Sequence, residues 1–171
     1  DSSAAGQELR LRQEYFFTSA SIQDIVRRHA QYSGDVRTLP DKAAIQLNDT
    51  HPAIAVAELM RLLLDDHGLE FGEAWDVTRR TFGYTNHTLL PEALESWPLP
   101  LFERLFPRHM QIVYKINSSV LKQARGDGRS DAEVSAISLI DEGGDRRIRM
   151  ANLAFVGSHS VNGVAALHTQ L

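Results

Sequence analysis

Helix-period and strand-period segments alternate along these 171 residues. That alternation predicts an α/β layer with mainly parallel strands and flanking helices. Two observations carry the prediction. Short apolar runs, Ala43–Leu47 above all, have the composition of strands buried on both faces. Each is followed by a polar loop and then by apolar residues at helical spacing, the strand–loop–helix order that parallel sheets require. The length suits one domain or one lobe of a larger protein, since domains mostly run roughly 100–200 residues.

Residues 1–8 are small and polar and read as a frayed end or cut linker, leaving 9–171 as the folded unit. Leu11, Tyr15, Ile22 and Val26 then share one face of a helix that ends near His29, and 30–41 read as a loop. Strand Ala43–Leu47 leads into Asn48-Asp49-Thr50-His51-Pro52, where residues suited to capping precede a helix to about His67. Val56, Met60, Leu63 and Leu64 face inward on that helix, and Gly68 is its stop. Glu73–Thr81 reads as a short helix and Thr81–Thr85 as a second strand. Asn86-His87-Thr88 follows, then a short helix opened by Pro91. Pro98–Arg125 reads as the longest helix, with Leu101, Leu105, Ile112, Ile116 and Val120 on one face. A short helix at Asp131–Leu139 precedes a third strand, Arg146–Val156. Gly157-Ser158-His159-Ser160 then turns the chain into a closing helix, Val161–Leu171, whose pattern is still running at the last residue, as in a truncated piece.

Composition excludes several function classes. Twenty-two acidic against 18 basic residues leave no clustered cationic surface of the kind that nucleic acids and anionic membranes demand. The absence of cysteine removes disulfides, thiolate catalysis and Cys-ligated zinc. Glu58 and Arg61 interrupt the longest apolar stretch, Ala53–Leu64, so no segment spans a bilayer. The polar opening lacks a basic region followed by an apolar one, so no signal peptide is visible and the expected location is cytoplasmic.

Ligands of parallel sheets bind outside the carboxyl ends of the strands. Here those ends are expected to carry Asn48–His51, Asn86–Thr88 and Gly157–Ser160, three polar loops with a histidine each, converging on one rim. Each feature has an ordinary alternative. Asp49 can orient an imidazole or accept sugar hydroxyls, or it can cap a helix beside a surface His51. His87 can donate to a substrate, or it can satisfy turn backbone beside Asn86. Glu92 and Glu95, three residues apart, can serve as a carboxylate pair for glycoside chemistry or as helix-dipole charges. His109 reads as a packed core histidine. Gly157-Ser158-His159 begins a nucleophile elbow, but Val161 replaces its last glycine. Asp49, His51, His87 and His159 offer ligand types that metals accept, yet H-E-x-x-H is absent and no metal site is assigned. GxGxxG and P-loop patterns are absent as well.

Lys42–Asp65 (KAAIQLNDTHPAIAVAELMRLLLD), Tyr84–Asn117 with its YTNHTLLPEALE opening, Arg10–His29 before them and Arg147–His168 after them closely resemble the α-glucan phosphorylases of glycogen, starch and maltodextrin. The resemblance covers residues 6–171. It implies part of a Rossmann-like (GT-B type) amino-terminal lobe, its later portion, from a larger enzyme. That enzyme would cleave α-1,4-glucan with phosphate, releasing glucose 1-phosphate with retention, and would work as a homodimer. The cofactor implied is pyridoxal phosphate, held by a lysine outside this segment. By motif match, Asp49 and His87 correspond to glucosyl-site residues: the aspartate positions the histidine, the histidine contacts the 6-hydroxyl, and its carbonyl lies near the anomeric carbon. Glu95 matches a carboxylate lining a polar pocket beside that carbon, and His51 and Asn86 are implied supports. Ser96 stands where some members carry arginine, a change of little consequence if the position faces solvent. Arg27-Arg28 matches part of an effector site in animal members, but the loop Ala30–Arg37 is shorter here, and a solvated helix end is expected instead. The expected reading is thus a phosphorylase piece, inactive without the remainder of its chain. The alternatives are a non-catalytic glucan-binding or interaction module and, third, a metal-dependent hydrolase.

Overall fold

The computed structural model describes residues 3–88 and 94–164. A 30-residue helix, α1 (Ala4–Ser33), opens the chain, capped by the Ser3 side chain and closed by Gly34 at φ 73°. The stretch expected to fray therefore belongs to it from Ala4 onward, and Glu8 is tied to Arg12 and Arg104. Leu11, Ile22 and Val26 are buried along one face as their spacing requires, with Tyr15 partly buried beside them.

A 3₁₀ turn (Val36–Asp41) leads to strand β1 (Ile45–Asn48). Helix α2 (Ala55–Arg61) follows, continued by a π turn over Leu62–Asp66, and Gly68 ends it in the left-handed region at φ 68°. Helix α3 (Phe71–Thr81) has a capping box from Glu70 and Glu73 and runs into β2 (Phe82–Asn86). Next come β3 (Ser96–Pro98), α4 (Leu99–Leu105), α5 (Pro107–Gly126), α6 (Asp131–Ile137) and β4 (Ile140–Asp141). The described chain closes with β5 (Arg147–Arg149), α7 (Met150–Val156) and β6 (Ser160–Gly163).

The α/β class holds: β1, β2 and β6 form a parallel sheet in that order, and β3, β5 and β4 form a small antiparallel sheet. Helices α1, α2 and α5 pack around a core that includes Leu11, Leu59, Met60, Phe102, Ile112 and Ile116.

Four elements differ from the expectation. The long helix expected over Pro98–Arg125 is two, because Phe106 precedes Pro107 and leaves the helical region at φ −133°, ψ 59°. Arg146–Val156 is not one strand: only Arg147–Arg149 is extended, and Met150, Leu153 and Ala154 then bury one helical face. Val161 and its neighbours are strand rather than helix, since Ser160–Gly163 pairs in register with Gly83–Asn86. The short helix expected from Pro91 falls partly outside the described residues, and its end, Ser96-Trp97, is strand. Residues 165–171 of the expected closing helix also lie outside the described residues.

Candidate active site

Two of the three expected loops meet at the carboxyl rim of the parallel sheet. Gly157–Ser160 does not, because it precedes β6 and so stands at the opposite end. There the His159 amide donates to Phe82 O (3.0 Å) and its ring lies 3.2 Å from Arg79 O. This placement separates His159 from Asp49, His51 and His87 and removes that quartet as a metal set. The third strand brings Asn162 to the sheet instead. Gln46 Nε2 donates to Thr85 Oγ1 (2.7 Å), which donates to Asn162 Oδ1 (3.0 Å), a polar line across all three strands.

At the rim, Asp49 is in the left-handed region, φ 62°, the one non-glycine residue so placed among those described. That conformation costs a side-chain-bearing residue about 1–3 kcal/mol and is least unfavourable for Asp and Asn. It is held from both sides. The Asp49 amide donates to Thr85 O (2.9 Å), and its Oδ1 accepts the His87 amide (2.7 Å). Asp49 is therefore not a helix cap: α2 starts six residues later without a side-chain cap. The His87 imidazole is exposed, with Nε2 3.4 Å from Asn48 Oδ1. Asn86 Oδ1 accepts the Thr88 amide (2.8 Å), and Asn86 O accepts that of Val164 (3.3 Å), which pins the turn below His87. Tyr84 lies buried beneath, and burial, with the Asp49 charge adding to it, pushes its phenol up to about 12.

A second group of polar side chains adjoins the first through Thr50 and His51. Glu95 is nearly buried, and Arg10 of α1 donates Nη2 to its Oε1. Thr50 Oγ1 donates to Glu95 Oε2 (3.3 Å), and His51 Nδ1 lies 3.7 Å from the same oxygen. The Glu95 backbone is fixed as well, its carbonyl accepting the Met150 amide (3.1 Å). Glu14, one turn after Arg10, completes the group by accepting Arg10 Nε on Oε1 (3.0 Å). Sequence reasoning missed Arg10 and Glu14, since a Glu at i+4 from an Arg on a helix reads as a surface pair. Glu92 lies outside the described residues. Ser96 does not simply face solvent: its Oγ and O accept Arg147 Nε (2.8 Å) and Nη2 (2.7 Å). His109 is buried away from the rim with Nε2 2.5 Å from Glu58 Oε2, the core histidine its position on α5 implied. Arg27 and Arg28 are exposed and both pair with Asp24, a solvated helix face.

The polar loops after β1 and β2 thus gather an exposed imidazole and two carboxylates, Asp49 and Glu95, at and beside the carboxyl rim of the parallel sheet. Across residues 1–171 the sequence matches the family model described as carbohydrate phosphorylase, and the chain belongs to that family. It is 54% identical over 172 residues to a glycogen phosphorylase of Synechocystis sp., covering 100% of this chain and 20% of the relative. Glycogen phosphorylase of Pasteurella multocida is 51% identical, with 100% and 21% covered. The brain form from Ovis aries is 49% identical over 175 residues, with 97% and 21% covered. The chain thus spans about a fifth of the length of the curated relatives it matches.

Proposed function

We propose that this chain supplies the glucosyl-binding wall of an α-glucan phosphorylase, the whole protein releasing glucose 1-phosphate from α-1,4-glucan and phosphate with retention. The observation that carries the reading is the Asp49–His87 contact. A carboxylate in a strained backbone conformation holds the amide of the histidine that tops the neighbouring strand. With that amide fixed, the ring and carbonyl of His87 are presented to the rim without a reorganisation cost. An oxocarbenium-like transition state gains from partial negative charge held ready beside C1, and a preset carbonyl meets that need. Glu95 and the imidazoles supply acceptors and donors for the sugar's hydroxyls.

Pyridoxal phosphate is the cofactor this reading implies, and it would bring the acid–base phosphate group. The residues here do not fit its attachment: Lys115 Nζ lies over the Phe71 ring at 4.3 Å, while Lys42 precedes β1 and Lys122 is exposed on α5, all away from the rim. Attachment therefore falls to the remainder of the phosphorylase chain, and the 171 residues alone are inactive. A homodimer in the cytoplasm, without nucleic acid or membrane partners, is the assembly proposed. Among the described residues no helix is long and apolar enough to cross a membrane.

The test is glucose 1-phosphate release from a linear α-1,4-glucan by the full-length, cofactor-loaded protein, with and without phosphate. Release should require phosphate, and Asp49→Ala and His87→Ala should each lower kcat/KM by about tenfold or more, equivalent to ~1.4 kcal/mol per tenfold. Saccharide binding with no release would leave a glucan-binding module and overturn the enzyme reading.

A further inference from the structure

We propose that Glu14 is a positioning residue for the sugar site: its carboxyl shares one proton with Glu95 and, with Arg10, fixes the Glu95 carboxylate at the rim. The proposal rests on the glucosyl-site reading above and concerns a residue one helix behind it. Its basis is the arrangement of charge. One side-chain nitrogen or oxygen each of Glu14, His51 and Glu95 lie within 4.8 Å of one another. The Glu14 and Glu95 side chains are 13% and 11% exposed. One guanidinium, that of Arg10, bridges the two carboxyls, Nε to Glu14 and Nη2 to Glu95.

A single Arg10 balances one negative charge. A second carboxylate in the same poorly hydrated space would face like-charge repulsion, and retaining a proton removes it. The donors decide which partner retains that proton. Glu95 receives both Arg10 and the Thr50 hydroxyl, with His51 Nδ1 3.7 Å away. Glu14 receives Arg10 alone among these. Burial, then the Glu95 charge, pushes the Glu14 carboxyl up to about 8. The groups facing the pair are Arg10 on its own helix, Thr50 and His51 from the loop after β1, and the Met150 amide behind Glu95. A protonated Glu14 donates to Glu95 and leaves one negative charge on Glu95, held by Arg10 and Thr50. Because the folded-state value is raised, this geometry is present below about pH 8 and is lost as pH rises through it.

The experiment uses the full-length, cofactor-loaded protein. In Glu14→Gln the amide donates to Glu95 at every pH, so the alkaline fall should move upward and the rise in KM caused by Glu14→Ala should be largely rescued. Glu14→Ala removes the donor, and KM for the glucan should rise about tenfold at neutral pH. An unshifted alkaline fall in Glu14→Gln, or an unchanged KM in Glu14→Ala, would overturn the proposal. A second readout separates it from the phosphorylase reading. Infrared difference spectra between neutral pH and a pH well above 8 should lose a protonated-carboxyl band in the wild type and not in Glu14→Gln. That band with no glucose 1-phosphate release sinks the phosphorylase reading and leaves the shared proton standing. No band sinks the shared proton, whatever the activity.

Discussion

Glu58 shows how one carboxylate can organise three helices. It sits in α2 inside an otherwise apolar run, fully buried, and accepts from Ser19 Oγ (2.8 Å) of α1, Arg61 Nε (2.9 Å) of its own helix and His109 Nε2 (2.5 Å) of α5. Burial alone would raise its carboxyl, but the His109, Arg61 and Ser19 hydrogen bonds outweigh that and hold it down at about 2. A depressed value stabilises the fold above the ordinary 4.5, and that contribution is lost as pH falls toward 2. Removing one partner of a buried ion pair costs about 3–5 kcal/mol, because the remaining charge is stranded. Glu58→Gln should therefore lower the melting temperature sharply at neutral pH, with the gap to wild type narrowing in acid below 4.5. Thermal unfolding across pH checks both the size and the direction.

Among elements, the α7–β6 junction is closely packed against α2. A Cβ on Gly157 would meet both Val56 methyl groups at 2.6 Å and Leu153 O at 3.0 Å, and neither neighbour is the end of a flexible chain. Helix α7 therefore approaches α2 as closely as it does only because residue 157 has no side chain. Gly157→Ala should destabilise the protein by about 1–3 kcal/mol through overpacking, visible as a lowered denaturation midpoint. Because the same junction feeds β6 into the sheet, an unchanged midpoint would show that α7 can shift without disturbing the pairing of Ser160–Gly163 with β2.

For the molecule as a whole, the outer face of α1 carries an apolar patch. Leu9, Phe16 and Phe17 are 56%, 67% and 69% exposed, and Phe16 and Phe17 border an open groove of about 770 Å³ floored by Tyr15 and Phe106. Phe155 on α7 is exposed too. Contiguous apolar surface of this kind marks a contact face. The 171-residue chain on its own should self-associate, and Phe16→Ser with Phe17→Ser should shift it toward monomer in sedimentation. A wild-type chain that sediments as a single monomeric species would contradict this.

Local chemistry in the sequence determined a good deal: the α/β class, the buried face of α1, the course of α3, strands β1 and β2 to within a residue or two, and the glycine stop at Gly68, whereas α1 runs on past the expected end near His29 to Ser33. Helical spacing and turn residues act over a few positions, so they are legible without a fold. The neighbourhood of Asp49 and His87 was likewise visible, since both follow apolar strands directly. The tertiary structure alone decided where Ser160–Gly163 belongs. Its side chains are mostly exposed and carry little strand signal, and its backbone finds partners only because β2 is already in place. The same holds for Arg10 and Glu14: residues 81 to 85 positions from Glu95 in sequence, they become its neighbours only when α1 packs beside the loop after β1. Charge coupling depends on distance and on exclusion of water, and neither is written in local spacing.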